Sequence, residues 1–341
     1  MTPASLRDGT LPSKPRSVLE TGGCFAKLSV SPAKQRIILH MAEKINGTPD
    51  NKLTLAAFIT VVIVIGVNFV AVKFSNRELP PFWGASLRFI VASVLLFGIV
   101  RIRNIPLPNG AALIGASLFG LFAFGINFGF LYWALTKVSA GMASVMFASI
   151  PLITLLIASV VGLEKITWRG ILGAVIVIGG ISLVFAEQLK FDIPFAYLTA
   201  VLIAAVSAAS SGIVVKYFPR SHPIATNTVG MSVAAIILLV LSIVSGEALR
   251  LPTLFATWLA LGWLVASSVI GFVLMVWILS RWTASATSYS SVLSPLVTVA
   301  VASVLAGEKL TPAFVVGALF VLLGVYVGVL IPQPPTTKIN P

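Results

Sequence analysis

The chain has 341 residues, 58% of them hydrophobic and only 10% charged, with a mean hydropathy of +1.04. Soluble domains carry about a quarter of charged residues, so this composition excludes one and puts the chain in a bilayer. The net charge of +13 would suit nucleic acid only as a basic face on a soluble fold; here the basic residues sit in a tail and in short loops between apolar runs, so no nucleic-acid partner is expected.

Residues 1–51 form a polar, basic tail that reads as disordered and lacks a signal-peptide core. Met41 precedes a short polar stretch and then the first apolar run, so a start at Met41 competes with the start at Met1. The single cysteine, Cys24, allows no disulfide within one chain. Apolar runs then follow at 54–73, 82–100, 111–131, 139–161, 170–186, 195–215, 225–244, 255–279, 284–306 and 313–331. Each is near the ~20 residues that cross ~30 Å of hydrocarbon as a helix. Barrel strands would instead alternate over about ten residues. A short tail, 332–341, closes the chain.

Residues 133–180 occur twice. Pro151 and Pro295 are separated by 295 − 151 = 144 positions, and the same step links Glu164 to Glu308, Lys165 to Lys309 and Gly173 to Gly317. Weaker matches extend it backwards at a step of 143, from Lys73 to Lys216 and from Pro80 to Pro223. Ten runs and one duplication give two halves of five, 54–186 and 195–331. An odd number of crossings per half makes the second enter from the opposite side of the membrane. The expected fold is all-α integral membrane, ten transmembrane helices arranged as two inverted five-helix repeats about an axis in the membrane plane. The Lys and Arg distribution, dominated by the tail, places both termini inside.

Leu79-Pro80-Pro81 followed by Arg88, Tyr132-Trp133-Ala134-Leu135, Pro151, Glu164, and Gly173 with Gly180 together form a recognisable pattern. It resembles the EamA-type members of the drug/metabolite transporter superfamily, the duplicated ten-helix bacterial carriers, over nearly all of residues 54–331. The resemblance implies a carrier of the inner (cytoplasmic) membrane, commonly an exporter, for amino acids, other metabolites or toxic compounds. The second half departs from the pattern with Met231 in place of Arg88, Val276 in place of Tyr132 and Ile278 in place of Ala134.

Polar groups inside apolar runs are the candidate binding residues, because hydrocarbon penalises them unless they face a partner or a water-filled cavity. Arg88 reads either as a fixed positive charge at a cavity rim, attracting a carboxylate or phosphate, or as a side chain snorkelling to headgroups. Asn68, Asn127, Tyr132 and Tyr289 either bind solute or join helices. Ser144 and Pro151 share one face of the fourth run, and Ser288, Ser291 and Pro295 a similar face of the ninth; these faces either line the pathway, with the prolines as kinks, or pack tightly. Trp263, in the middle of its run, either stacks on apolar cargo or fills the bundle. Gly115, Gly120, Gly125 and Gly129 read as packing, and the phenylalanines around them as lipid-facing or core. Glu164 and Glu308 read as helix caps or salt-bridge partners.

No Asp or Glu lies within a run, which argues against a carboxylate relay. The only histidines are His40 and His222, and neither HExxH nor GxSxG occurs, so a membrane-embedded enzyme is disfavoured and no metal or other cofactor is expected. A channel lacks a visible filter or charged ring. The expected partners are a small-molecule substrate, the lipid bilayer and a second copy of the chain in a homodimer.

Overall fold

Backbone amides inside hydrocarbon must be satisfied within their own segment, which leaves continuous apolar runs little alternative to helix. The computed structural model describes residues 49–162, 168–189, 194–282, 284–307 and 311–327, and all regular structure among them is helical. The helices are α1 (Pro49–Ser75), α2 (Pro81–Ile102), α3 (Gly110–Ala134), α4 (Ala140–Val160), α5 (Trp168–Leu189), α6 (Phe195–Tyr217), α7 (Pro223–Val244), α8 (Phe255–Leu279), α9 (Ala284–Ser288 and Ser290–Leu305) and α10 (Pro312–Val325). The tails, Glu164, Lys165, Glu308 and Lys309 lie outside the described residues.

Seven helices, α1 to α4 and α6 to α8, are long and apolar enough to cross a membrane; α5, α9 and α10 carry the shorter apolar stretches Trp168–Leu183, Ser290–Leu305 and Phe314–Val325. Of the ten expected spans, seven are therefore long, apolar helices among the described residues. In α9 the shortening has a local cause, a turn at Tyr289 that splits the run.

The other interruptions follow from backbone chemistry. α4 breaks between Phe147 and Ile150, just ahead of Pro151, whose ring nitrogen cannot donate and whose presence disfavours helix in the preceding residue. Pro295, by contrast, sits inside Ser290–Leu305 without breaking it. The carbonyl it leaves unpaired, that of Ser291, accepts from the Ser294 hydroxyl at 3.1 Å, the kind of substitution that makes proline tolerable in a span. α3 contains a π-helical stretch, Leu121–Ile126. The extra residue frees carbonyls there: that of Phe122 accepts from Ser207 on α6 at 2.7 Å, and that of Ala123 from the Asn127 amide at 3.0 Å.

Helix pairing is reciprocal between the halves. α2 packs along α7 and α5 along α10, each the repeat counterpart of the other, and α4 packs on α9. α3 and α4 pack on α6, while α1 meets α8 through Asn68 and α9 through Thr298, whose hydroxyl donates to the Gly66 carbonyl. The α5–α10 crossing shows the reciprocity atom by atom. A Cβ on Gly180 would lie 2.8 Å from the Gly317 carbonyl oxygen, and one on Gly324 would lie 2.7 Å from that of Gly173. Moving Gly180 up and Gly317 down by 144 positions turns the first pair into the second. Small residues let these backbones approach where side chains could not.

At one end of the bundle two loops cross-cap helices of opposite halves. α2 opens with Pro80-Pro81 and has no capping side chain of its own. Its free N–H groups at Phe82 and Trp83 donate to the Glu247 carboxylate, at 3.2 and 2.8 Å. Glu78 answers from the α1–α2 loop, accepting from the backbone N–H of Thr253 and Leu254 and from the Thr253 hydroxyl at the start of α8. Arg250 donates to the Glu78 carbonyl and the Trp83 indole to the Arg250 carbonyl. Each carboxylate meets the positive end of a helix dipole from the other half.

Candidate functional site

A cavity of about 120 Å³ lies among α1, α3, α4, α6, α8 and α9, room for several waters at roughly 10–15 Å³ each by this measure. Helices 1, 3 and 4 and their repeat counterparts 6, 8 and 9 therefore supply its wall. The correspondence holds by residue: Ile65 and Ala208, Asn68 and Ser211, Phe69 and Gly212 are lining pairs at the 143 step, and Phe128 and Phe272, Leu131 and Met275, Phe147 and Ser291 at the 144 step. The first half contributes the bulkier member on the α1 and α6 walls, so the cavity is asymmetric in volume and in polarity.

Its wall is mostly apolar, and two amides carry the distinctive polarity. Asn68, 6% exposed, accepts at one side-chain atom from the Trp263 indole at 3.1 Å and the Ser267 hydroxyl at 2.8 Å. An indole only donates, so that atom is the oxygen. The Asn68 NH₂ is left as a donor on the cavity side. Asn127, 7% exposed, is the converse. Its NH₂ faces the Ala123 carbonyl, which can only accept, and its Oδ1 has no partner among the described residues. The cavity therefore has a donor on its wall and, beneath its surface, an acceptor without a partner among the described residues. The hydroxyls of Ser290 and Ser291 return their protons to the carbonyls of Thr287 and Ser288.

Four of the residues singled out from sequence line this space, Asn68, Asn127, Ser288 and Ser291. Trp263 stands behind Asn68 and orients it. Ser144 is fully buried and donates to the Gly141 carbonyl at 2.7 Å. Tyr289 is the turn of α9, half-buried beside Val292 and Leu152. Pro151 follows the break in α4, and Pro295 lies within α9.

Arg88 and Tyr132 occupy a separate, sealed place beside the cavity. Both are fully buried. The Arg88 Nε donates to the Ser268 hydroxyl at 2.7 Å, and Ser268 donates onward to the Leu264 carbonyl. The guanidinium carbon lies 4.7, 5.2 and 5.8 Å from the ring centres of Phe128, Phe89 and Phe272, within the range of cation–π attraction. Phe128 and Phe272 also line the cavity, so their rings are the wall between it and the charge. They meet edge to face at 5.8 Å.

Sequence reasoning missed Phe272, Phe69, Phe147 and Met275, because an apolar side chain in a membrane helix looks the same whether it faces lipid, core or cavity. For Phe272 one signal existed: it is the repeat counterpart of Phe128, at 272 − 128 = 144.

The EamA-like transporter family model matches residues 52–186 and again 195–330. The chain belongs to the EamA-like transporter family. It is 27% identical over 260 residues to the uncharacterized inner membrane transporter YedA of Escherichia coli K12, covering 75% of this chain and 83% of that protein. It is 28% identical over 286 residues to a probable amino-acid metabolite efflux pump of Salmonella typhimurium LT2, covering 79% and 92%. An uncharacterized transporter of Archaeoglobus fulgidus is 28% identical over 271 residues, covering 77% and 93%. The fold resembles a solved crystal structure at a TM-score of 0.60 and 17% identity, over 81% of this chain and 97% of that one. Family and relatives together make this EamA protein a membrane transporter, with a small-molecule substrate and lipid as its partners.

Proposed function

We propose that this EamA protein is a secondary transporter of the cytoplasmic membrane that exports a small organic solute by alternating access around the central cavity. The observation that carries the reading is the cavity wall, built from repeat-equivalent positions of both halves. A space between two similar halves is where rocking of one against the other exchanges access from face to face. In this reading all ten apolar helices cross the membrane, both termini lie inside, and the halves are inverted about an axis through the cavity. The reciprocal helix pairing and the mirrored glycine contacts of α5 and α10 support that relation. An amino-acid-like solute suits the Asn68 donor and Asn127 acceptor of an apolar wall, and a relative named as an amino-acid metabolite efflux pump supports the same class.

Purified protein in proteoliposomes is expected to give saturable uptake of a labelled amino acid and to accelerate exchange when the same amino acid is loaded inside. Flux that neither saturates nor shows counterflow would instead identify a channel. Cysteine or glycosylation tags in the 103–109 and 245–254 loops are expected to report opposite sides; tags on the same side would refute the inversion.

A further inference from the structure

We propose that Arg88 and Tyr132 form a second binding site, for a monovalent anion of the carboxylate or halide kind, reached from the cavity when the Phe128 and Phe272 rings part. Nη1 and Nη2 of Arg88 are buried and face the Tyr132 hydroxyl, but neither they nor that hydroxyl makes a hydrogen bond of good geometry among the described residues. The guanidinium nitrogens can only donate, so what they lack is an acceptor. Ser268 is reached only by Nε and gives its proton to Leu264, and the Tyr132 hydroxyl beside the guanidinium is one neutral acceptor for two Nη groups. Water could accept a hydrogen bond but would leave the charge uncompensated, and a buried charge without a counter-ion is strongly disfavoured. Glu78 and Glu247, the carboxylates whose contacts are described, already accept from the helix N-termini of α8 and α2. A carboxylate fits the two Nη groups in parallel, and a halide fits between them and the phenol.

Three aromatic faces hold the cation while the wall is shut. The repeat counterpart of Arg88 is Met231, also fully buried, so the scaffold itself does not require a charge here. Phe128 and Phe272 come from opposite halves and touch by ring edges, so motion of one half against the other uncovers the guanidinium. Only this route of entry rests on the transport reading; the binding chemistry does not.

The test is the apparent melting temperature of the purified full-length protein, titrated with sodium chloride, sodium acetate, L-phenylalanine or L-phenylalaninamide against sodium sulfate at constant ionic strength. A saturable rise of several degrees with chloride or acetate, absent in Arg88→Gln and shifted severalfold to higher concentration in Tyr132→Phe, supports the site with a free small anion as occupant. A rise with L-phenylalanine alone, lost for its amide and in Arg88→Gln, supports the site with the solute's carboxylate as occupant. Equal responses in wild type and Arg88→Gln, or no response to any of the four, overturn the proposal, and saturable flux in proteoliposomes would still leave the transporter reading standing. If Arg88→Gln does not fold, phenylglyoxal labelling of Arg88 in the wild type decides by mass spectrometry. Labelling slowed at least fivefold by saturating acetate, chloride or L-phenylalanine supports the site; labelling unchanged by all three overturns it.

Discussion

Asn127 separates stability from recognition. Its Oδ1 is buried without a partner and its NH₂ bonds only its own helix, so replacement by an apolar group of similar size removes an unsatisfied acceptor and little else. Asn127→Leu is expected to leave the melting temperature unchanged or raised, while the half-saturating solute concentration rises roughly tenfold, the equivalent of ~1.4 kcal/mol. A loss of stability without a change in transport would contradict the acceptor role. Glu78 carries a residue-scale expectation of a different kind. The hydrogen bond from the Thr253 hydroxyl first, opposed by burial, and then those from the Thr253 N–H, the Thr257 side chain and the Leu254 N–H lower its pKa to about 2. A carboxyl depressed on folding contributes stability that is present above its unfolded value, ~4.3, and is lost as the pH falls through about 2. The contacts of Glu78 are therefore expected to persist at pH 5, and thermal stability to show their loss only between about pH 4 and pH 2; a transition near pH 5 to 6 that disappears in Glu78→Gln would disprove this.

Between helices, glycine sets how closely backbones approach. A Cβ on Gly120 would fall 2.3 Å from the Gly230 carbonyl oxygen, where α3 crosses α7, and relief would require moving backbone. Gly120→Ala and Gly324→Ala are each expected to destabilise by ~1–3 kcal/mol. Gly98→Ala, with nothing within 4 Å of its added Cβ, is expected to be neutral or stabilising by ~0.5–1 kcal/mol, since alanine is the better helix former. Thermal melts of the three variants test the contrast. The glycines also mark how far the fold is legible in the sequence. Gly173, Gly180, Gly317 and Gly324 repeat at a fixed step, so the duplication and its small-residue seams can be read directly. Which seam meets which cannot: pairing of α5 with α10 is a property of the folded halves. The π-helical stretch of α3 is invisible for a similar reason, since Leu121–Ile126 is as apolar and helix-forming as its flanks. Asn68 and Asn127 stand out because a polar side chain in hydrocarbon needs a reason to be there, but the roles of Trp263 in orienting Asn68 and of Phe272 in walling off Arg88 depend on contacts between halves.

For the molecule as a whole, those contacts are unequal at its two ends. Where α1 ends and α8 begins, Glu78 and Glu247 tie each half to the other through helix N-termini. At the opposite end the 143 step maps Glu78 to Ser221 and Glu247 back to Asn104, neither of them acidic, so no equivalent carboxylate exchange is available. A transporter that rocks between two access states needs these ends to open in turn, and the better-tied end biases the resting population towards closure there. Weakening the tie should shift that population without touching the cavity. In a Cys24→Ser background with Ser211→Cys as a reporter in the cavity wall, Glu78→Gln with Glu247→Gln is expected to raise maleimide labelling severalfold from the Glu78 side and to lower it from the other. Substituting glutamine keeps the acceptor oxygen but removes the negative charge that complements the positive helix N-terminus, so the change isolates electrostatics from packing. Equal acceleration from both sides would mean that the bundle has loosened, and unchanged labelling would mean that the closed end is held by the α2–α7 contact alone.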